Sequence, residues 1–543
     1  MKKDYYQQKL FDDFFIIEKP RQNNDVVVES LSNEILTKLD HYSLDYYIND
    51  IRIYGLEHTW SCICEYVLSY GESTDFLSVK NFGEMYEIGL AIQDKKQKKN
   101  NGQYYTPDDV ATIMSEWFDS LDGQNLCDVG CGTGKLILTY FDYIGRERAY
   151  KLLNEGKLFV YDIDTVALNI CVTSILIKYG KELRDKIHDV AGDFLSSKIK
   201  LPQNSKVISN PPYAAIQQIG LFWSNTRILK ESRELYSVFM EKIIKESVSS
   251  VLITPYSFIS GSKFYSLRMV MNHFNGEIYS FDNVPGNIFC GRKHGIFNTN
   301  TSNSVRAAIS VVRNNNSDGF RLTPLIRFKA SERKDLLQCK KLEGFLSPER
   351  QKISSDNPMY YKCFKELQPL YNCLMEKAGR HVLAELVSKD GEYILSMSNT
   401  CRYFTSAVSG KMNRKGQITL HFNNEKKYNY VYCLINSSFA YWHWRLFDGG
   451  INYPVSLLLK MPVIYDSLSE EDHLFFKEKA KELLEKANEF IIKKNNVGIQ
   501  ENIKYPRRYR DSINQRILNI LNVRVDNSTM DLIHSNMALK LNI

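Results

Sequence analysis

Between residues 104 and 330, seven short apolar runs alternate with helical stretches, and this alternation restricts the fold more than any other feature of the chain. The runs are NLCDVG (125–130), KLFVYD (157–162), KIHDVAG (186–192), KVISN (206–210), SSVLITP (249–255), EIYSFD (277–282) and SVRAAISVV (304–312). Strands interleaved with helices form α/β domains around a largely parallel sheet. Ligands of such sheets sit at the carboxyl ends of the strands. The chemically apt residues of this chain fall there: GCGTG after the first run, YDID at the second, GDF at the third and NPPY at the fourth.

Each of these loops has a chemical reading. In DVGCGTG, Gly130, Gly132 and Gly134 permit unusual dihedrals and let a ligand approach the backbone. The loop has neither the GxxxxGK[ST] spacing of a P-loop nor the GxGxxG spacing of a dinucleotide fingerprint. Cys127 and Cys131 beside it are expected to pack, and no residue is expected to bind metal. Asp162, at the tip of the second strand, can accept hydrogen bonds from ribose hydroxyls. Asp164 precedes a helical stretch and reads as its N-cap. Asp193 can take an exocyclic amine, with Phe194 against the ring. In SNPPY, two prolines after Asn210 fix a rigid, extended turn. Such a turn aims the Asn210 side-chain oxygen and the Pro211 carbonyl at one point. Two acceptors there bind the hydrogens of an amino group and leave its lone pair free, while Tyr213, after Pro212, offers an aromatic face to a planar base.

The set resembles the amino-group DNA methyltransferases of the gamma arrangement, the N6-adenine type of restriction–modification systems, over residues 100–315. The resemblance implies a Rossmann-like sheet that binds S-adenosyl-L-methionine. GQYYTP (102–107) is similar to the family's segment before the sheet, which gives Tyr105 and Thr106 a cofactor role. Asp128, the three loop glycines, Asp162, Asp193 and Phe194 match cofactor positions, with Asn210 at the junction of cofactor and base. ELYSVFMEKII (234–244) resembles the helix that lends an aromatic to the cofactor pocket, here Phe239. NVPGNIFCGR (283–292) resembles the loop that covers the base, which makes Phe289 catalytic with Asn210, Pro211, Pro212 and Tyr213; Phe297 competes with Phe289. The implied reaction is methyl transfer to N6 of an adenine flipped out of double-stranded DNA. N4-cytosine transfer, methylation of RNA or of a protein glutamine, and a modification subunit that needs a separate specificity chain are the alternatives.

The rest of the chain reads more thinly. Residues 1–97 look helical, with Cys62 and Cys64 packed and a basic linker at 94–103. The catalytic domain is expected over 98–330, a mixed α+β target-recognition domain over 331–470 and a helical tail over 471–543. The WHWR run at 442–445 reads as core packing in preference to a DNA-facing surface. The net charge of +7 divides into +8 over 331–543 and −1 over the first 330, which suits a polyanion-facing C-terminal part. Asn, Gln and Arg in loops such as NRKGQ (413–417) are candidates to read base edges. A composition of 43% apolar, 24% charged and 12% aromatic residues excludes a disordered or fibrous chain. No apolar stretch approaches the ~18 residues of a membrane span. The eleven cysteines, without paired spacing, suit a reducing cytoplasm. Expected partners are double-stranded DNA and a cognate restriction endonuclease on a separate chain, with no membrane.

Overall fold

The computed structural model describes Gly83 and residues 106–216, 226–289, 305–495 and 499–534. Apart from Gly83, the expected helical N-terminal region lies outside the described residues, as do Tyr105 and Phe297. The described chain forms two compact units. The first runs to Thr254 and adds Phe289 and Val311–Asn314; the second holds Pro255–Ile288, residues 305–310 and everything from Asn315. This division cuts earlier in the chain than the expected boundary at 330.

In the first unit, β1 (Asn125–Val129), β2 (Leu158–Asp162), β3 (Ile187–Ala191), β4 (Ser205–Ser209) and β5 (Ser249–Pro255) stand in the order β3-β2-β1-β4-β5. Neighbours in this order pair parallel. All five coincide with expected runs. Parallel strands covered on both faces read as continuous apolar segments, and every residue of β4 is buried. Helices α1 (Asp108–Asp119), α2 (Lys135–Ile144), α3 (Thr165–Tyr179) and α4 (Leu235–Glu246) belong to the same unit. α1 buries Val110, Ile113, Met114, Trp117 and Phe118, the three- and four-residue spacing of one helical face. The ammonium of Lys206, on β4, donates to the carbonyls of Phe118, in the last turn of α1, and of Leu121, just past it. Burial pushes its pKa down to about 8.

The second unit holds β6 (Asn275–Phe281), the first half of β7 (Ala307–Arg313) and β8 (Gly319–Leu322), with β6 and β8 parallel. β8 escapes a sequence reading because it has four residues, of which only Phe320 and Leu322 are apolar and buried. An antiparallel sheet of β9 (Tyr393–Ser398), β10 (Ala407–Ser409) and β11 (Gln417–Phe422) follows. Then come α5 (Glu425–Ile435), α6 (Ser438–Phe447), α7 (Glu470–Lys486), a hairpin of β12 (Ile491–Asn495) and β13 (Ile499–Ile503), and α8 (Arg507–Leu521).

The hairpin corrects the expectation of an all-helical tail. Ile503 and Ile491, directly paired across the two strands, turn inward beside Val408 and Met412. One apolar core runs from Tyr361 to Ile533 and takes in Trp442, Trp444, Phe476, Leu483 and Ile513. Residues 331–470 and 471–543 thus share a core. The WHWR run is part of it: Trp442, His443, Trp444 and Arg445 are all buried on α6.

A charged hub sits inside this unit. Asp282, just past β6 and fully buried, accepts from Arg306 Nε at 2.8 Å and Arg327 Nε at 2.5 Å, with Arg445 Nη1 at 3.6 Å. Burial alone would raise its pKa, but the three guanidinium groups outweigh that and hold it below the usual carboxylate range.

Candidate active site

Strand register builds the site. Val129 of β1 pairs with Tyr161 of β2 on one side and Ser209 of β4 on the other. The next residue of each strand's path is therefore Gly130, Asp162 and Asn210, side by side at the carboxyl rim. β1 lies where the strand order turns back on itself, the switch point at which open α/β sheets bind ligands.

The glycine loop wraps this rim. Gly130, Gly132 and Gly134 have φ of +69°, +52° and +88°, values that L side chains adopt at a cost. Gly130 N and Cys131 N donate to Tyr161 O at 2.8 and 3.0 Å. A Cβ on Gly134 would stand 2.6 Å from Cys171 Sγ, and one on Gly130 would lie 3.9 Å from Asn210 O. α2 begins at the next residue, Lys135, so its N-terminal amides face the loop.

Two carboxylates serve this loop. Asp128 is fully buried, and its Oδ2 accepts from Ile137 N at 3.3 Å. Its Oδ1 has no partner among the described residues. Burial, with a smaller push from Asp162, raises its pKa to about 8. Asp162 accepts from Gly132 N at 2.7 Å and Asp164 N at 2.9 Å. Burial and then Asp164 push it up to about 6. A carboxylate has about four acceptor sites, so Asp162 can still accept from a ligand hydroxyl. Asp164 caps α3, accepting from Ala167 N at 3.1 Å.

Past β3, Asp193 Oδ1 accepts from Leu195 N at 3.0 Å and so closes a tight turn. That turn delivers Phe194, whose ring lies 5.5 Å from Phe239 and 5.7 Å, edge-on, from Tyr161. The loop is clamped by a residue the sequence reading missed. Lys242 on α4 donates to the carbonyls of Phe194 (2.6 Å), Ser196 (3.0 Å) and Ile199 (2.6 Å). Its ammonium also sits 4.7 Å from the Phe194 ring centroid.

At the end of β4, Ser209 Oγ donates to Val129 O at 2.5 Å and fastens the two strand ends. Asn210 Nδ2 donates to Thr106 Oγ1 at 2.9 Å. Pro211 is buried and Pro212 half-buried. Tyr213 OH donates to Ile253 O at 3.0 Å. Its ring meets Phe289 at 6.0 Å and Tyr236 at 6.2 Å, both edge to face. The structure therefore brings Tyr213 and Phe289 together, and it adds Tyr236, a second missed residue. Tyr236 and Phe239 are three apart on α4, one helical step along the same face. That face meets Tyr213 with one ring and Phe194 with the other. Of the two residues expected from GQYYTP, Thr106 stands at this rim, bonded to Asn210, and Tyr105 lies outside the described residues.

Residues 78–247 match a family model described as N-6 DNA methylase. The match starts before residue 98 and includes Gly83, where a Cβ would fall 2.7 Å from Thr133 Oγ1 of the glycine loop. The methylase subunit of the type I restriction enzyme EcoEI from Escherichia coli is 28% identical over 171 residues, 30% of this chain and 34% of that protein. The rRNA N(6)-adenosine-methyltransferase metl-5 of Caenorhabditis elegans is 27% identical over 132 residues, 23% of this chain and 56% of that protein. Among solved structures, the EcoKI M protein covers 63% of this chain and 83% of its own, at 12% identity and a TM-score of 0.35. The chain thus spans about a third of the EcoEI subunit and just over half of the metl-5 protein.

Proposed function

We propose that the chain is a site-specific DNA methyltransferase that moves a methyl group from S-adenosyl-L-methionine to N6 of an adenine flipped out of double-stranded DNA. It would serve as the modification arm of a restriction–modification system in the cytoplasm. The observation that carries this reading is the bond from Asn210 Nδ2 to Thr106 Oγ1, at the rim shared by the glycine loop and inside the N-6 DNA methylase match.

The residues fit the cofactor. The orphaned Asp128 Oδ1 is a buried acceptor beside the loop, and the left-handed glycines leave Cβ-free backbone for a ligand. Asp162 would take ribose hydroxyls, and the turn of Asp193 and Phe194 with Phe239 would hold the adenine ring. When bound, the cofactor supplies a methyl group already activated on a sulfonium.

The chain's own work is orientation. An adenine amine is a weak nucleophile because its lone pair is delocalised into the ring. Asn210 Oδ1 and the Pro211 carbonyl would accept its two hydrogens, favour a more tetrahedral nitrogen and aim the lone pair. Most of the rate then comes from positioning and fixed dipoles. A base inside a duplex cannot reach this rim and must flip, at a cost of a few kcal/mol. Stacking on an aromatic returns about 1–3 kcal/mol, and Tyr213, flanked by Phe289 and Tyr236, would provide it.

The test is the purified chain with labelled cofactor and duplex DNA; label recovered as N6-methyladenine supports the reading. Label on cytosine, or on RNA or protein but not DNA, refutes it. A second reading is that the chain is a modification subunit guided by a separate specificity chain, and its similarity to a type I methylase subunit favours it. Transfer that appears only after such a chain is added selects this second reading.

A further inference from the structure

Three loops of the second unit are tied edge to edge. Thr400 and Asn452 form an isolated antiparallel bridge. Cys401 N donates to Ile451 O at 3.1 Å, and Tyr453 N donates to Asn399 O at 2.7 Å. Asn399 N donates to Gly416 O at 3.1 Å and so joins the NRKGQ loop to the other two.

Buried donors fix the backbone of these loops from beneath. Two are arginines of the Asp282 hub: Arg306 Nη2 donates to Gly450 O at 3.0 Å, and Arg327 Nη2 donates to Arg402 O at 3.1 Å. Tyr441 OH also donates to Arg402 O at 3.0 Å, and Trp444 Nε1 donates to Asn452 O at 3.0 Å. Tyr256 OH donates to Asp448 O at 2.6 Å. Buried charges are costly to maintain and weak as sources of stability. Here they hold surface carbonyls in place, a use suited to a preformed recognition surface.

While Cys401, Met412 and Tyr453 turn inward, other side chains of the fixed loops face solvent. Tyr403 is 58% exposed and Ile451 51%. Thr400 and Asn452 are exposed as well, and Thr400 Oγ1 donates to Asn452 Oδ1 at 3.2 Å. The Nδ2 donors of Asn452 have no partner among the described residues. Segments 399–404, 411–417 and 448–463 contain Arg402, Lys411, Arg414, Lys415 and Lys460 against one carboxylate, Asp448, which accepts from Gly450 N at 2.6 Å.

We propose that this three-loop edge enters a groove of duplex DNA, with Asn452 and Thr400 reading base edges and Tyr403 and Ile451 making apolar contacts. An asparagine amide is a natural reader of adenine edges. Exposed apolar tips on rigid loops suit the wedges that proteins press against base steps. The excess of lysine and arginine over carboxylates in these segments suits a polyanion. The proposal rests on the reading of the chain as a DNA methyltransferase and names the residues that would select its site.

The test uses the full chain: the duplexes it binds best are selected from a random-sequence pool, and binding to them is then followed by fluorescence anisotropy at physiological salt, where phosphate contacts alone bind weakly. Tyr403→Ser with Ile451→Ser, and separately Asn452→Ala, should weaken binding about tenfold or more, since a lost contact of this kind is worth about 1–3 kcal/mol. Thermal melting should not move, because the four side chains are exposed. Variants that bind as the wild type does, or a wild type that binds no duplex, overturn the proposal. Where the wild type methylates DNA, sequencing of modified sites should show Asn452→Ala with a relaxed motif; an unchanged motif at an unchanged rate overturns its role as a reader. A wild type that binds DNA through this edge but transfers no methyl group leaves the surface standing and removes the methyltransferase reading alone.

Discussion

The Asn210 amide donates to the Thr106 hydroxyl at 2.9 Å and joins two segments 104 positions apart in the chain. The bond engages the nitrogen end of the amide and turns the oxygen end away from Thr106. The amine chemistry proposed for Asn210 requires that oxygen as the acceptor.

Asn210→Ala should lower methyl transfer by about a hundredfold or more, the scale of losing one preorganised polar group in a reaction centre. Cofactor affinity, read by calorimetry, should change little. Thr106→Val keeps the volume and loses the bond, so it should fall between wild type and Asn210→Ala. Wild-type turnover in Asn210→Ala would remove the residue from the mechanism.

At Tyr213 the hydroxyl and the ring can be separated. Tyr213→Phe gives up the bond to Ile253 O, worth about 0.5–1.5 kcal/mol. Tyr213→Ala also gives up the ring against Phe289 and Tyr236, at a further cost of about 1–3 kcal/mol. Turnover should fall in the order wild type, Phe, Ala. Equal rates for the two variants would show that the aromatic face does not matter.

Asp128 makes stability depend on pH. Its ordinary pKa is 3.8, and burial lifts it to about 8 in the folded protein. The folded state therefore binds the proton more tightly than the unfolded state. Its contribution is fully present below pH ~4, declines as the pH climbs and is lost above about 8. Asp128→Asn removes this loss, so its melting temperature should match the wild type near pH 4 and rise above it toward pH 8. A gap that does not widen with pH would contradict the assignment.

Lys242→Met should free the carbonyls of Phe194, Ser196 and Ile199. We expect a loss of about 1–3 kcal/mol in stability. Cofactor binding should weaken further than the melting temperature alone accounts for, because the turn that carries Phe194 is loosened. Denaturant titration with and without cofactor separates the two effects.

The central strands were legible because β4 and β5 are nearly continuous apolar runs, as doubly covered strands read, whereas the edge strand β3, with His188 and Asp189, was legible from its place between helical stretches. β8 and the hairpin of β12 and β13 were hidden by brevity and by the polar residues that make up much of each strand, Arg321 in the first and Lys493, Gln500, Glu501 and Asn502 in the second. The motif residues around Asn210 and Gly130 were legible as types at strand ends, but their bonds were not. Nothing in the sequence links Thr106 to Asn210, or Lys242 to three carbonyls more than forty residues upstream. Tyr236 was overlooked beside Phe239 although helical spacing puts both on one face. The Asp282 hub is invisible in sequence because its arginines come from 24, 45 and 163 residues away.

The pairing of Val129 with Ser209 also has an evolutionary corollary. Helices α2 and α3 and the turns behind the sheet can lengthen or shrink without disturbing either loop, because the loops take their positions from the strands. One residue gained or lost between Ile208 and Asn210 would send the asparagine to the opposite side of the pleat. The spacing between the two motifs along the chain is thus set loosely, while the step from strand to motif is set to the single residue.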